Sequence, residues 1–304
     1  MAAHNAPRVS VVIPTYNRAR FIGEAIDSVL AQTFTDYEII VVDDGSTDKT
    51  LEALHPYRDR IRYVVKNNQG PAGARNRGVQ ESRGALVAFL DSDDLWLPEK
   101  LALQTARLDR RPELAMVFTE VMWVERDGSL RPSRFRRYRP RDGFVLRETI
   151  HHPCIATQSI LIKREAFDAV RFDESLLTGE GLDFNIRLAL RFPIGLVDRP
   201  LVKIRKHDAN LDLEWNRVCQ QDADVKYQAF FVDFQRICEK CPELKLTHHR
   251  ATRQALSGVY RDWGKSLLYA GRPTDARARL AESWRMSAHP KTIASWLKTW
   301  IPRG

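Results

Sequence analysis

The first hundred residues alternate between two hydrophobic periods, and that alternation limits the folds open to the chain. VSVVIP (9–14) is a short β-branched run, as a strand buried on both faces would be. Phe21, Ile22, Ala25, Ile26, Val29 and Leu30 then recur at helical spacing. YEIIVVDD (37–44) predicts a second strand, and Ser46 is placed to cap a helix around TDKTLEAL. IRYVV (61–65) predicts a third strand, GPAGARNRGVQES (70–82) a short helix with a glycine-rich start, and ALVAFLD (85–91) a fourth strand. Pro98 suits the first turn of the helix after it. Strands alternating with helices imply a mostly parallel α/β sheet with right-handed crossovers. In such a sheet the site lies beyond the carboxyl ends of the strands.

Further along, LAMVFTEVMWVE (114–125), QSILIKR (158–164) and IGLVDRPLVKIRKH (194–207) predict strands, and EGLDFNIRLALRF (180–192) an amphipathic helix. Asp127-Gly128 marks a turn, and the Arg-rich stretch 131–141 predicts a mobile loop. Beyond residue 210 the pattern turns helical, with candidates at 213–240, 248–270, 273–287 and 290–301 separated by Pro242, Gly271-Arg272-Pro273 and Pro290. We therefore expect a sheet-based domain over 1–210 and a helical region over 211–304.

Composition excludes whole classes. With 43% hydrophobic and 29% charged residues, the chain is neither disordered nor fibrous. It has no run of eighteen apolar residues and no apolar signal core in MAAHNAPRVS, so a cytoplasmic location is expected. Four Cys fit a reducing compartment, and the lone Cys238-Glu239-Lys240-Cys241 is a weak zinc signal. The net charge of +9 is concentrated after residue 239, where thirteen Lys and Arg face four Asp and Glu. There Trp284, Trp296, Trp300, Leu297 and Ile301 lie among basic residues. That mixture suits an anionic membrane surface and suits packing on the rest of the chain equally well.

The first, second and fourth predicted strands end in polar residues: Pro14-Thr15-Tyr16-Asn17-Arg18, then Asp43-Asp44-Gly45-Ser46, then Asp91-Ser92-Asp93-Asp94. Carboxylates so placed repel one another unless something positive sits among them. Three acids within four residues after the apolar VAFL suggest oxygen ligands for a hard divalent cation. An acidic helix cap and acidic turns are the plainer explanations.

VSVVIPTYNR, VVDDGSTD, GPAGARNRGV and FLDSDD, in this order and at these separations, resemble the family 2 glycosyltransferases over about residues 8–210. The resemblance implies an inverting enzyme of GT-A fold, with a Rossmann-like, mostly parallel sheet flanked by helices. It also implies a nucleotide-sugar donor and a hydroxyl acceptor on a glycan or lipid-linked sugar, in bacterial surface polysaccharide synthesis at the inner membrane face. By motif match, Pro14, Thr15, Tyr16, Arg18, Asp44 and Arg75 would contact the nucleotide. Asp91-Ser92-Asp93 matches the family's DXD motif, with Asp93 on Mn²⁺ or Mg²⁺ and Asp91 on the ribose or the metal. RKHDANL (205–211) matches a late segment in which Arg205 would steady the leaving group and His207 would reach the metal or diphosphate.

An inverting displacement needs a carboxylate base for the acceptor proton. The family presents Glu-Asp at a helix start, and here Gly181 stands where the Asp would be, leaving Glu180 and Asp183 as candidates. Both acids also simply favour the positive end of a helix. Glu180 is the preferred base, and Asp183 has Arg187 four residues on as a partner. The missing Asp supports one competing interpretation, a silent nucleotide-sugar-binding relative. A nucleotidyltransferase would need a glycine- and lysine-rich loop that VIPTYNRARF lacks, and a nucleic-acid partner would leave the four motifs unexplained.

Overall fold

The structure, a computed structural model, describes residues 6–131, 142–151, 155–176, 179–207, 223–246 and 249–300. The expected loop (from residue 132 on), the helix start at 213–222, residues 208–211 and 301, and Thr178 lie outside the described residues.

The chain divides into two compact units, Met1–Val145 with Cys154–His207, and Leu146–Pro153 with Asp208–Gly304. The first is built on one sheet. Its strands are β1 (Val9–Thr15), β2 (Tyr37–Asp43), β3 (Arg62–Val65), β4 (Leu86–Phe89), β5 (Leu95–Trp96), β6 (Met116–Val124), β7 (Leu130–Arg131), β8 (Leu161–Lys163) and β9 (Ile194–Arg205). They run in the order β3-β2-β1-β4-β8-β6-β9-β5, with β7 beside β6. The β1–β2, β1–β4, β2–β3 and β6–β9 pairs are parallel, and β8 is inserted antiparallel between β4 and β6. All seven residues of β1 are buried, as its β-branched sequence demands of a central strand.

The connecting helices are α1 (Ile22–Leu30), α2 (Thr50–Leu54), α3 (Gly70–Glu81), α4 (Lys100–Arg110), α6 (Arg164–Val170) and α7 (Glu180–Arg191). α1 turns Ile22, Ala25, Ile26 and Val29 inward, its helical stripe. α3 lies close against β1 and β2 at Gly78, where a Cβ would stand 2.3 Å from Val12 Cγ1. Any side chain there would drive helix and sheet apart.

Three local expectations are corrected. Ser46 does not cap α2; its hydroxyl accepts from Asn17 N at 2.9 Å, and the Asp48 carboxylate takes Thr50 N at 2.9 Å. Pro98 precedes α4, which begins at Lys100. The strand expected over 158–164 is shortened because Thr157–Ser159 forms a 3₁₀ turn.

The second unit contains α5 (Leu146–His151), α8 (Ala223–Lys240), α9 (Glu243–Leu246), α10 (His249–Tyr269), α11 (Pro273–Met286) and α12 (Pro290–Leu297), which ends in a 3₁₀ turn over Lys298–Trp300. Trp263, Leu267 and Ala276 form its core with Tyr227, Phe231 and Tyr260. Cys238 and Cys241 are buried. Among the described residues no helix is long and apolar enough to cross a membrane.

Candidate active site

The carboxyl edge of the sheet gathers the ends of β1, β2, β4 and β9. Hydrogen bonds tie the β1 and β2 loops together. Asp44 N donates to Thr15 O at 2.9 Å. Asn17, held at φ 53°, accepts on Oδ1 from Thr47 N at 2.8 Å and Asp48 N at 3.2 Å. Arg18 N donates to Thr50 Oγ1 at 3.0 Å. Pro14 and Thr15 close β1, and Tyr16 is exposed beside them.

Asp44 is buried and fully engaged. It accepts from Lys66 Nζ at 2.7 Å, Gln69 N at 3.0 Å and Gly70 N at 2.7 Å. The last two close the positive end of α3. Asp43 accepts from Tyr63 OH at 2.7 Å and Ser46 N at 2.8 Å.

Arg75, buried on α3, joins two acids that lie far apart in sequence. One arm of its guanidinium donates to Asp91 Oδ1 at 2.8 Å and the other to Glu180 Oε1 at 2.8 Å. Burial opposes the Arg75 charge, but the two carboxylates outweigh it and hold its pKa above the ordinary arginine value. Burial pushes Asp91 up, with Arg75 opposing.

Asp93 receives two groups on one oxygen. Arg18 Nε and His207 Nε2 each lie 3.1 Å from its Oδ2. The His207 ring stacks on Phe21 with centroids 4.3 Å apart, and the Arg205 guanidinium lies 5.0 Å from the same ring. Burial lowers the His207 pKa against the pull of Asp93. Arg205 Nε donates to Asp93 O, and its guanidinium also pairs with Glu24. Ser92 is buried between the two acids.

Asp94 is a clasp. Its carboxylate accepts from Gln158 Nε2 at 2.7 Å and Arg205 N at 3.0 Å, pinning the end of β9 to the acidic loop. Burial first, then Asp91 and Asp93, push its pKa well above the carboxylate range.

Gly179, whose φ of 77° is open to glycine, precedes α7, which presents Glu180 as its first residue. The two candidate bases differ sharply. The Glu180 side chain is 16% exposed and faces Arg75. That of Asp183 is 2% exposed, paired with Arg187 Nε at 2.8 Å, and its Oδ1 is buried without a partner. A Cβ at Gly181 would stand 2.9 Å from Thr157 Oγ1, so a side chain there would require that hydroxyl to shift.

Among the described residues no three His, Cys, Asp or Glu side chains are grouped as a complete metal site. Asp93 and His207 offer one carboxylate and one imidazole at a shared point. A mixed oxygen and nitrogen pair suits Mn²⁺ better than Mg²⁺. Sequence patterning missed Lys66, Phe21, Gln158 and the clasp at Asp94. Lys66 directly follows β3 at the same sheet edge, a position that could have flagged it.

The sequence profile of glycosyl transferase family 2 matches residues 10–171. An uncharacterized glycosyltransferase of Rickettsia felis is 35% identical over 200 residues, which is 65% of this chain but 33% of that protein. The chain thus spans about a third of that relative's length. The structure of S. aureus TarS 1-349 in complex with UDP-GlcNAc aligns with a TM-score of 0.59 at 20% identity, over 97% of this chain and 93% of that one. The mannosyltransferase PcManGT of Pyrobaculum calidifontis, in complex with GDP-Man and Mn²⁺, aligns at 0.56 with 21% identity, over 97% and 85%. These likenesses show the fold, GT-A, a mostly parallel sheet with flanking helices and a helical C-terminal region. With a profile match that covers more than half of its length, the chain belongs to glycosyl transferase family 2.

Proposed function

We propose that the protein transfers a sugar, with inversion, from a nucleotide-sugar to a hydroxyl of a glycan or lipid-linked acceptor. The observation that carries this is the Arg75 bridge. One buried guanidinium holds Asp91, of the acidic motif, and Glu180, at the start of α7, in a single array. In this proposal Glu180 is the base. Its carboxylate, oriented by the Arg75 guanidinium, accepts the acceptor hydroxyl's proton as that oxygen attacks the anomeric carbon and the bond to the diphosphate breaks. Arg18 and Arg205 flank Asp93 and place positive charge where the diphosphate departs. Thr15, Tyr16 and Asp44 line the nucleoside end at the tips of β1 and β2. Asp93 and His207 would hold Mn²⁺, which when bound neutralises charge on the leaving group.

The test is hydrolysis of UDP-, GDP- and dTDP-sugars by the whole protein with Mn²⁺. We expect turnover of at least one donor, loss in EDTA, recovery with Mn²⁺, and no turnover by Asp93→Ala despite an unchanged melting profile. Full activity in EDTA refutes the metal. Donor binding without turnover or transfer to any hydroxyl acceptor returns the silent relative.

A further inference from the structure

The last helix of the second unit wears its amphipathic pattern inside out. The side chains that α12 and its 3₁₀ extension bury are small hydroxyls, Thr292, Ser295 and Thr299. Thr292 Oγ1 lies 3.2 Å from Ser283 Oγ on α11, and Ser283 lies 3.2 Å from Ser257 on α10, so this contact is a seam of hydroxyls. The large apolar side chains point the other way. Ile293, Trp296, Leu297 and Trp300 follow a spacing of three, one and three residues and share one face, with exposures of 44%, 38%, 55% and 58%. Trp284 on α11 is also exposed, at 45%. A helix that packed only on its own unit would turn its tryptophans in and its threonines out.

Basic groups share the segment with the apolar face, and one lies against it. Lys291 and Lys298 are exposed on the same segment. The Arg277 guanidinium lies 4.1 Å from the Trp300 ring centroid, and Trp300 meets Trp296 at 5.6 Å. From Lys240 onward thirteen Lys and Arg stand against four Asp and Glu. A second copy of the chain would bring the same positive charge to the contact, which disfavours self-association through this face. Indole rings beside aliphatic side chains and cations match the boundary between acyl chains and anionic headgroups.

We infer that the face formed by Ile293, Trp296, Leu297 and Trp300, with Arg277 against it and Lys291 and Lys298 on the same segment, docks in the plane of an anionic lipid surface. The inference stands apart from the proposed transfer chemistry. The whole protein should bind phosphatidylcholine vesicles that contain phosphatidylglycerol and leave vesicles of phosphatidylcholine alone. Brominated acyl chains should quench its tryptophan fluorescence, and salt should release it. The pair Trp296→Ser and Trp300→Ser, with an unchanged melting temperature, should weaken binding about tenfold or more and abolish the quenching. Lys291→Glu with Lys298→Glu should weaken binding to a similar degree, giving a second variant that spares the apolar face. Equal affinity for both vesicle types overturns the inference, as does binding that neither variant alters. Failure to bind either vesicle, with dimerisation that the tryptophan variant abolishes, overturns it in favour of a second copy.

Discussion

Arg75 touches Glu180 across more than a hundred residues of chain, and no local pattern encodes that contact. The acids themselves were legible, because polar residues at the ends of buried strands have no place in a core. Which acid meets which cation depends on how α3 and α7 pack, and that was not. The structure separates the two candidate bases by their partners. Glu180→Gln should lower turnover about a hundredfold or more at unchanged donor affinity, the scale of a lost general base. Asp183→Asn should act first on stability, by about 2 kcal/mol or more, because it strips the charge from a buried pair with Arg187. Turnover per folded molecule and thermal melts divide the two effects; a Glu180→Gln protein of near-normal turnover refutes the assignment. Lys100 gives a second residue-level test. It is fully buried, donates to Gln104 Oε1 at 2.8 Å, and burial holds its pKa well below the lysine range. Between that lowered value and the ordinary lysine range, the unfolded chain therefore binds a proton there that the folded chain does not. Over that window stability should rise with pH toward about 10, the ordinary lysine range. Lys100→Met should flatten that rise, and identical slopes in urea unfolding for both proteins refute it.

Elements were legible in proportion to their length and burial. β1, β2 and α1 carry unmixed periods and lie close to where their sequences put them. β5 and β7, each of two residues, carry no period at all and exist only through pairing with β9 and β6. The start of α7 shows the limit of motif matching. Gly181 looks like a lost functional residue, yet it is also the point where Thr157 of the neighbouring 3₁₀ turn comes too close for a Cβ. The two positions should therefore be coupled. Gly181→Ala alone gains helix propensity of up to about 1 kcal/mol but meets the Thr157 hydroxyl, an overpacking cost of about 1–3 kcal/mol. In a Thr157→Ala background the clash is gone and the same change should stabilise. A double-mutant cycle read by chemical unfolding measures this, and additive effects would show that the close approach is without consequence.

At the scale of the whole molecule, a single boundary near residue 210 is the natural expectation, because composition changes there from alternating to helical. Contacts divide the chain differently, since α5, in the middle of the sequence, belongs with the C-terminal helices. Its six residues, LRETIH, are too few to show a period, and their partner lies a hundred positions away. α5 packs on α10. Leu146 and Ile150 are buried, and His151 Nε2 lies 3.2 Å from Asp262 Oδ2. On α10, Gly258 faces the His151 ring so closely that a Cβ would stand 2.3 Å from its Nε2. A protein cut after His207 keeps α5 but loses α10. It should expose Leu146 and Ile150, each worth about 2 kcal/mol when buried, and so bind a hydrophobic dye and associate. Leu146→Gln with Ile150→Gln in the cut protein should restore a dye-free monomer. A cut protein that is already monomeric and dye-free would mean that α5 needs no partner, and that the single boundary read from composition is the physical one.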